Sequence, residues 1–323
     1  MNRGQSLRQL KKTEMEMTNQ APELHMVTGA FGYTGKYIAE LLLARGKKVA
    51  TITGRPNAIS SSRRQITVLP FNFDDSDELR RSLEGVTALY NTYWIRFPRA
   101  GMTHDKAVEN TEKLIRAAEE AGVTRLVHIS ITNASANSPL PYFRGKGIIE
   151  NLIVQSKLSY AILRPTVIFG LEDVLINNIA WLLRRLPVFA MPGSGGYKIQ
   201  PVFVRDLAEL AVDLAQEDTN VALDAVGPET YSFEELVRLL ADRIGTGARI
   251  AHVSPSLALL LGNLLGLIVK DVMITEDEIK GLMSGLLVSA GPPLARTRLS
   301  EWLDMNADRL GVAYASEVQR HYR

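Results

Sequence analysis

The 323-residue chain contains no cysteine. Disulfides, thiolate zinc sites and cysteine nucleophiles are thereby excluded, and a reducing compartment is compatible with that composition. Histidine is scarce. The five, at positions 25, 104, 128, 252 and 321, form no H-x-x-x-H pair, so no metal centre is expected. Charge of one sign is nearly absent in excess: the net value is +2, too small to suggest nucleic-acid binding. Residues Met1 to Glu23 are polar and lack the apolar segment of a secretory signal. They read as a disordered extension, with Met15 or Met17 as alternative starts. No apolar run reaches the ~20 residues needed to cross a bilayer. The longest, Leu257 to Val269, is interrupted by Asn263 and two glycines. It reads as a core or surface-docking helix, with peripheral membrane attachment as the alternative. No repeat or low-complexity tract stands out; Phe233 to Ile244 reads as a helix with Ser232 and Glu235 as its capping box, and from His252 onward the pattern is helical without a further parallel unit.

What is present is ordinary in bulk and specific in pattern. Hydrophobic content of 46% and charged content of 22% are those of a soluble globular chain, long enough for one large α/β unit with a smaller lobe. An apolar run from Leu24 to Val27 leads into Thr28-Gly29-Ala30-Phe31-Gly32-Tyr33-Thr34-Gly35. Apolar residues at helical spacing follow: Tyr37, Ile38, Leu41 and Leu42. Strand, glycine-rich turn and helix start together predict a dinucleotide site. Gly29 allows the tight turn, Gly32 lets a pyrophosphate approach the backbone, and Gly35 lets the helix pack close to the strand. The phosphates would meet backbone N–H groups and the positive end of the helix dipole.

Further strands are predicted over Lys48 to Thr53, Gln65 to Pro70, Val86 to Asn91 and Thr124 to Ile131, separated by helical segments. That alternation predicts a doubly wound parallel α/β sheet. At the end of the second strand, where an acid would favour NAD, the chain has Arg55 with Arg63 and Arg64 beyond. A guanidinium there suits a 2′-phosphate, so NADP is the expected cofactor and NAD the alternative. The aromatic and basic loop Thr92 to Arg99 follows the fourth strand and would wall the substrate or nicotinamide. His128, inside an apolar run, is expected to be buried and hydrogen-bonded. Tyr142 and Lys146, at i and i+4, would share one helix face. A nearby ammonium can lower a tyrosine pKa and fit it for proton transfer.

Taken together, these residues resemble the short-chain dehydrogenase/reductase superfamily. The resemblance rests on Thr28-Gly29-x-x-Gly32-x-x-Gly35, Tyr142-x-x-x-Lys146, and Leu163-Arg164-Pro165-Thr166-Val167-Ile168-Phe169-Gly170. It extends through Gln200 to Ala208 and Asp224 to Ser232, and so covers roughly Leu24 to Ile244. The branch is the atypical and extended one, similar to NmrA-like proteins and to the dinucleotide-binding accessory subunit of respiratory complex I. It implies a Rossmann sheet over 24–170, with 171–323 mainly a smaller C-terminal substrate lobe that returns some segments to the sheet.

The resemblance also implies roles. Tyr142 would be the acid/base and Lys146 would hold the nicotinamide ribose. Thr132, with Ser130 in reserve, would polarise the substrate. Phe31, Tyr33, Thr34, Asp74, Asn91, Thr92, Pro165, Thr166 and Val167 would join the glycines and Arg55 around the cofactor. The implied activity is an NADP-linked oxidoreductase, or an epimerase-like isomerase, acting on a small carbonyl, hydroxyl or nucleotide-linked substrate. The alternative is a non-catalytic NAD(P)H-binding regulatory or assembly protein. A cytoplasmic homodimer with no nucleic-acid partner and no integral membrane segment completes the expectation.

Overall fold

In the computed structural model, which describes residues 23–54 and 62–322, strand and helix alternate through the first half of the chain. The order is β1 (Leu24–Thr28), α1 (Tyr33–Ala44), β2 (Lys48–Thr53), β3 (Ile66–Pro70), α2 (Ser76–Arg81), β4 (Val86–Asn91) and α3 (His104–Glu120), followed by β5 (Arg125–Ile129), α4 (Pro141–Gln155) and β6 (Ser159–Pro165). The second half is more broken. It runs β7 (Ile168–Phe169), α5 (Leu175–Arg185), β8 (Val188–Pro192), β9 (Lys198–Ile199), β10 (Val202–Phe203), α6 (Val204–Leu214), β11 (Val221–Ala225), β12 (Tyr231–Ser232), α7 (Phe233–Arg243) and β13 (Arg249–Val253). Four helices close it: α8 (Pro255–Val269), α9 (Glu276–Met283), α10 (Leu299–Asn306) and α11 (Glu317–Tyr322).

The seven-stranded sheet has the order β11-β6-β5-β4-β1-β2-β3, with every pairing parallel. This is the doubly wound α/β architecture expected from the alternation. The strand order reverses between β1 and β4, and the ends of those two strands leave a crevice there. Period-two alternation sorts the strand residues onto two faces. Val27, Val127 and Leu163 face Ile38 and Leu42 of α1 and Leu207 and Ala211 of α6. Their neighbours Met26, Leu126 and Ile162 face Leu114 and Ala118 of α3 and Ile149 and Ile153 of α4. Both faces are covered, which is why the strands read as near-continuous apolar runs.

Helix ends follow local chemistry. Gly122, at φ +75°, ends α3. Ser232 and Glu235 form the predicted capping box at α7. A separate cluster holds the later elements together, with Phe169, Ile179, Met191, Leu236 and Leu303 packed around Trp302. One expectation fails here. The chain from His252 onward is helical as expected, in α8 to α11, but the expected absence of a further parallel unit does not hold: His252 and Val253 end β13, which pairs in parallel with β8 outside the main sheet. The two strands are some 60 residues apart, and pairing at that separation leaves no local periodic signal.

Candidate functional site

The glycine turn is built by backbone bonds. The N–H of Gly29 donates to Ile52 O (3.0 Å), and that of Gly32 to Gly29 O (2.7 Å). Gly29 sits at φ +68°, and a Cβ on Gly35 would lie 2.3 Å from Gly29 O, so α1 reaches this close to β1 only through glycine. No side chain caps α1 and its first turn holds no acid, which leaves its leading N–H groups for an external anion. These features fit a dinucleotide pyrophosphate.

A cleft of about 1330 Å³ opens at this turn. Of the residues singled out in the sequence, Gly29, Phe31, Gly32, Tyr33, Thr34, Thr92, Tyr142, Thr166 and Val167 line it. The whole loop from Thr92 to Arg99 lines it as well, together with Thr53 and Gly54 at the end of β2. Arg55 lies outside the described residues. Arg63 is described, and its guanidinium stands 5.9 Å from the Phe31 ring.

The remaining candidates are placed elsewhere, each for a physical reason. Gly35 lies behind the turn as a packing position. Asp74 is exposed and off the cleft, where Phe71 lines the wall instead. Asn91 is fully buried; its Oδ1 accepts from Thr28 Oγ1 (3.1 Å) and its Nδ2 meets His128 Nδ1 (3.1 Å). Burial, aided by Lys146, holds His128 well below the usual histidine range, so it is neutral. Pro165 is buried, and its carbonyl accepts from Thr132 N.

The two candidate polarising hydroxyls are already committed. Thr132 Oγ1 donates to Leu286 O (3.2 Å), and Ser130 Oγ donates to Glu150 Oε1 (2.5 Å). Ile131, between them, is the residue of that turn that reaches the cleft.

Lys146 departs most from expectation. It is 3% exposed and absent from the cleft wall. Its ammonium donates to Ile129 O (2.7 Å) and lies 4.8 Å from the centre of the Trp94 ring. Trp94 rests flat on α4 because residue 145 is glycine: a Cβ there would meet the indole at 2.6 Å. Burial lowers the lysine pKa to about 7, against an opposing pull from Glu150. Tyr142, by contrast, has its hydroxyl pushed well above the ordinary tyrosine value by burial and by Glu278 and Glu317. The pair therefore shares a helix face, but the tyrosine is kept protonated.

A stability prediction follows for Lys146. The folded protein releases this proton near pH 7, whereas the unfolded chain holds it to about pH 10.5. Between those values the unfolded state binds more protons, so stability rises with pH across the window. Lys146→Met is expected to abolish that rise, making the variant the more stable protein at the acid end. Urea unfolding on both sides of the window measures it; parallel pH profiles for the two proteins would refute it.

Around Tyr142 lies an aromatic cluster that the sequence revealed only in part. Trp94 stacks on His104 (5.6 Å between centroids), and both meet the Tyr142 ring edge-on at 5.7 and 5.9 Å. Arg96 spans to α9, with Nε on Glu278 Oε1 (2.5 Å) and Nη2 on Glu278 Oε2 (3.2 Å) and Met273 O (3.0 Å). His104 and α9 had drawn no functional reading. Their only signal was an N-cap threonine and a capping box.

Comparison with known proteins agrees with this geometry. Residues 29–173 match a family described as NAD(P)H-binding. A 232-residue stretch is 27% identical to the mitochondrial NADH dehydrogenase [ubiquinone] 1 alpha subcomplex subunit 9 of Arabidopsis thaliana, covering 68% of this chain and 57% of the relative. The mitochondrial NADH-ubiquinone oxidoreductase 40 kDa subunit of Neurospora crassa is 23% identical over 262 residues, covering 79% of this chain and 69% of that protein. The chain thus spans between about half and two thirds of these relatives. Among solved structures, triphenylmethane reductase of Citrobacter sp., complexed with NADP(H), superposes with a TM-score of 0.73 at 19% identity, covering 88% of this chain and 99% of that one. The glycine turn at the strand-order switch, the all-parallel sheet and these matches lead to one conclusion: residues 29–173 form an NAD(P)H-binding domain on a Rossmann-like sheet, and the chain is similar in sequence to these NADH dehydrogenase subunits.

Proposed function

We propose that this protein is an NADP-dependent reductase of a carbonyl compound, with Tyr142 as its proton donor. The observation that carries the reading is the position of Tyr142. It lines the same cleft as the glycine turn, and its hydroxyl accepts no hydrogen bond among the described residues. NAD(P)H, when bound, supplies hydride. The leading N–H groups of α1 hold the pyrophosphate, and the loop from Thr92 to Arg99 covers the reacting end. Tyr142 gives its proton to the carbonyl oxygen and regains one from solvent. Burial keeps the Tyr142 hydroxyl protonated, the form in which it can donate to a carbonyl oxygen during reduction.

NADP is proposed over NAD because the end of β2 offers Thr53 and Gly54 with no acid, and Arg63 stands over Phe31 of the turn. Fluorescence titration with NADPH and NADH tests this. Arg63→Glu is expected to weaken NADPH by about tenfold or more and to leave NADH nearly unchanged. Equal loss of both would remove Arg63 from the site, and binding of neither by the parent protein would remove the cofactor reading.

A second reading, a non-catalytic NAD(P)H-binding subunit, is favoured by one specific observation. Ser130, Thr132 and Lys146 are all engaged in internal bonds and face away from the cleft. Two relatives are named as subunits of NADH-oxidising assemblies, which gives that reading a context. Turnover of any carbonyl with stoichiometric NADPH oxidation separates the two.

A further inference from the structure

We propose that the cleft takes an amphiphile, with a carbonyl head at Trp94, Arg96 and His104 and one long hydrocarbon chain in the apolar chamber beside α8. The reaction rests on the reductase reading above; the binding does not.

Unpaired polar groups mark the position of the head. Trp94 Nε1, Arg96 Nη1 and His104 Nε2 are buried and have no hydrogen-bond partner among the described residues, and all three residues line the cleft. Buried polar groups left unpaired are rare, and two of these, Trp94 Nε1 and Arg96 Nη1, are N–H donors that define a place for an acceptor, while neutral His104, bonded to the Arg96 backbone through its other ring nitrogen, offers Nε2 as an acceptor at the rim. The two N–H groups also supply what Ser130 and Thr132 do not, a donor beside Tyr142. The acceptor is a neutral oxygen. The charge of Arg96 is already balanced by a two-point pair with Glu278, and the cleft's other charged side chains, Asp277 and Glu317 against Arg99 and Arg320, cancel in number, so no excess positive charge calls for a carboxylate.

The tail would occupy the opposite end of the cleft. The cleft of about 1330 Å³ extends from the glycine turn, where a dinucleotide would sit, to β8, β13 and α8. Its far wall is made by β8, β13 and α8, and every side chain they contribute to it is apolar, Phe189, Val253 and Leu265 among them. A ligand there gains contact but no side-chain hydrogen bond, which selects a hydrocarbon chain. The chamber reaches the surface at α8, a helix with no charged residue from Pro255 to Val269. Leu264 and Ile268 line the cleft yet are 51% and 75% exposed, and they continue into an exposed stripe with Leu260 and Leu267. At ~22 Å the helix is too short to span a bilayer, so it serves as a portal and not an anchor.

The test is calorimetric binding of methyl ketones from butan-2-one to dodecan-2-one, on the NADPH-saturated protein and on its Tyr142→Phe variant. Affinity is expected to rise about threefold to fourfold per added methylene. Dodecane is expected to bind about tenfold or more weakly than dodecan-2-one. Trp94→Phe, which keeps a ring over Gly145, should erase most of that head preference. Leu264→Asp with Ile268→Asp, at positions already facing solvent, should flatten the chain-length dependence with the oligomeric state unchanged by light scattering.

Affinity independent of chain length overturns the proposal. So does a double variant that changes only the oligomeric state, which would make the stripe a contact between copies of the chain. Chain-length-dependent binding without turnover keeps the chamber and removes the reductase reading; turnover of butan-2-one with no chain-length effect does the reverse. Dodecan-2-one is delivered from cyclodextrin and, separately, from phosphatidylcholine vesicles. Uptake from either supports the site, uptake from vesicles alone makes the bilayer the source, and uptake from neither overturns it.

Discussion

Tyr142→Phe is expected to lower turnover by about 10²–10⁴-fold while changing NADPH affinity by less than about twofold. The substitution removes one oxygen and keeps the ring, so the edge contacts with Trp94 and His104 and the tilted contact with Phe143 persist. The glycine turn that would hold the dinucleotide lies on β1 and α1, and Tyr142 contributes nothing to its hydrogen bonds. The loss should therefore fall on the chemical step. Because burial and the carboxylates of Glu278 and Glu317 keep the hydroxyl protonated, any reduction by the parent protein should hold its rate well into the alkaline range. Steady-state kinetics with NADPH and a methyl ketone, paired with the fluorescence titration, reads both quantities. Full turnover in the variant would assign the proton to another donor and return the site to the non-catalytic reading.

The second large effect is structural. Glu150 is 6% exposed and is held by two residues. Ser130 Oγ donates to it at 2.5 Å, Arg164 Nε contacts both carboxylate oxygens at 3.0 Å, and Arg164 Nη2 donates at 2.5 Å. Lys146, one helical turn earlier, feels the same charge. Glu150→Ala strands Arg164 and Ser130 and leaves the buried Lys146 without its counter-charge. Removing one partner of such a pair costs about 3–5 kcal/mol. Chemical denaturation is expected to show a loss of that order, whereas Glu150→Gln, which retains hydrogen bonding, should lose less. A loss below about 1 kcal/mol for the alanine variant would mean that Arg164, whose side chain is 32% exposed, is adequately solvated when unpaired. This network ties the end of β5 to α4 and β6, and so sets the floor beneath Trp94.

The sequence by itself determined the sheet and its cofactor end. Alternating apolar residues place Met26 and Val27 on opposite faces of β1, and the spacing of Gly29, Gly32 and Gly35 announces a turn that only glycine can form. The capping box of Ser232 and Glu235 marks the start of α7. These are local effects, read within a few residues, because backbone sterics and helical or strand periodicity act over that distance.

Tertiary structure decided what each reactive group faces. The Tyr142–Lys146 spacing is visible in the chain, but Trp94, 52 positions away from the lysine, closes over the ammonium, and Leu286 takes the hydroxyl of Thr132 across 154 positions. The apolar chamber likewise needs β8 beside β13, and a residue pattern cannot say which distant strand it will meet. Burial, hydrogen-bond satisfaction and the pKa shifts they cause belong to these long-range contacts, and for that reason the working end of the cleft became legible only once the chain was folded.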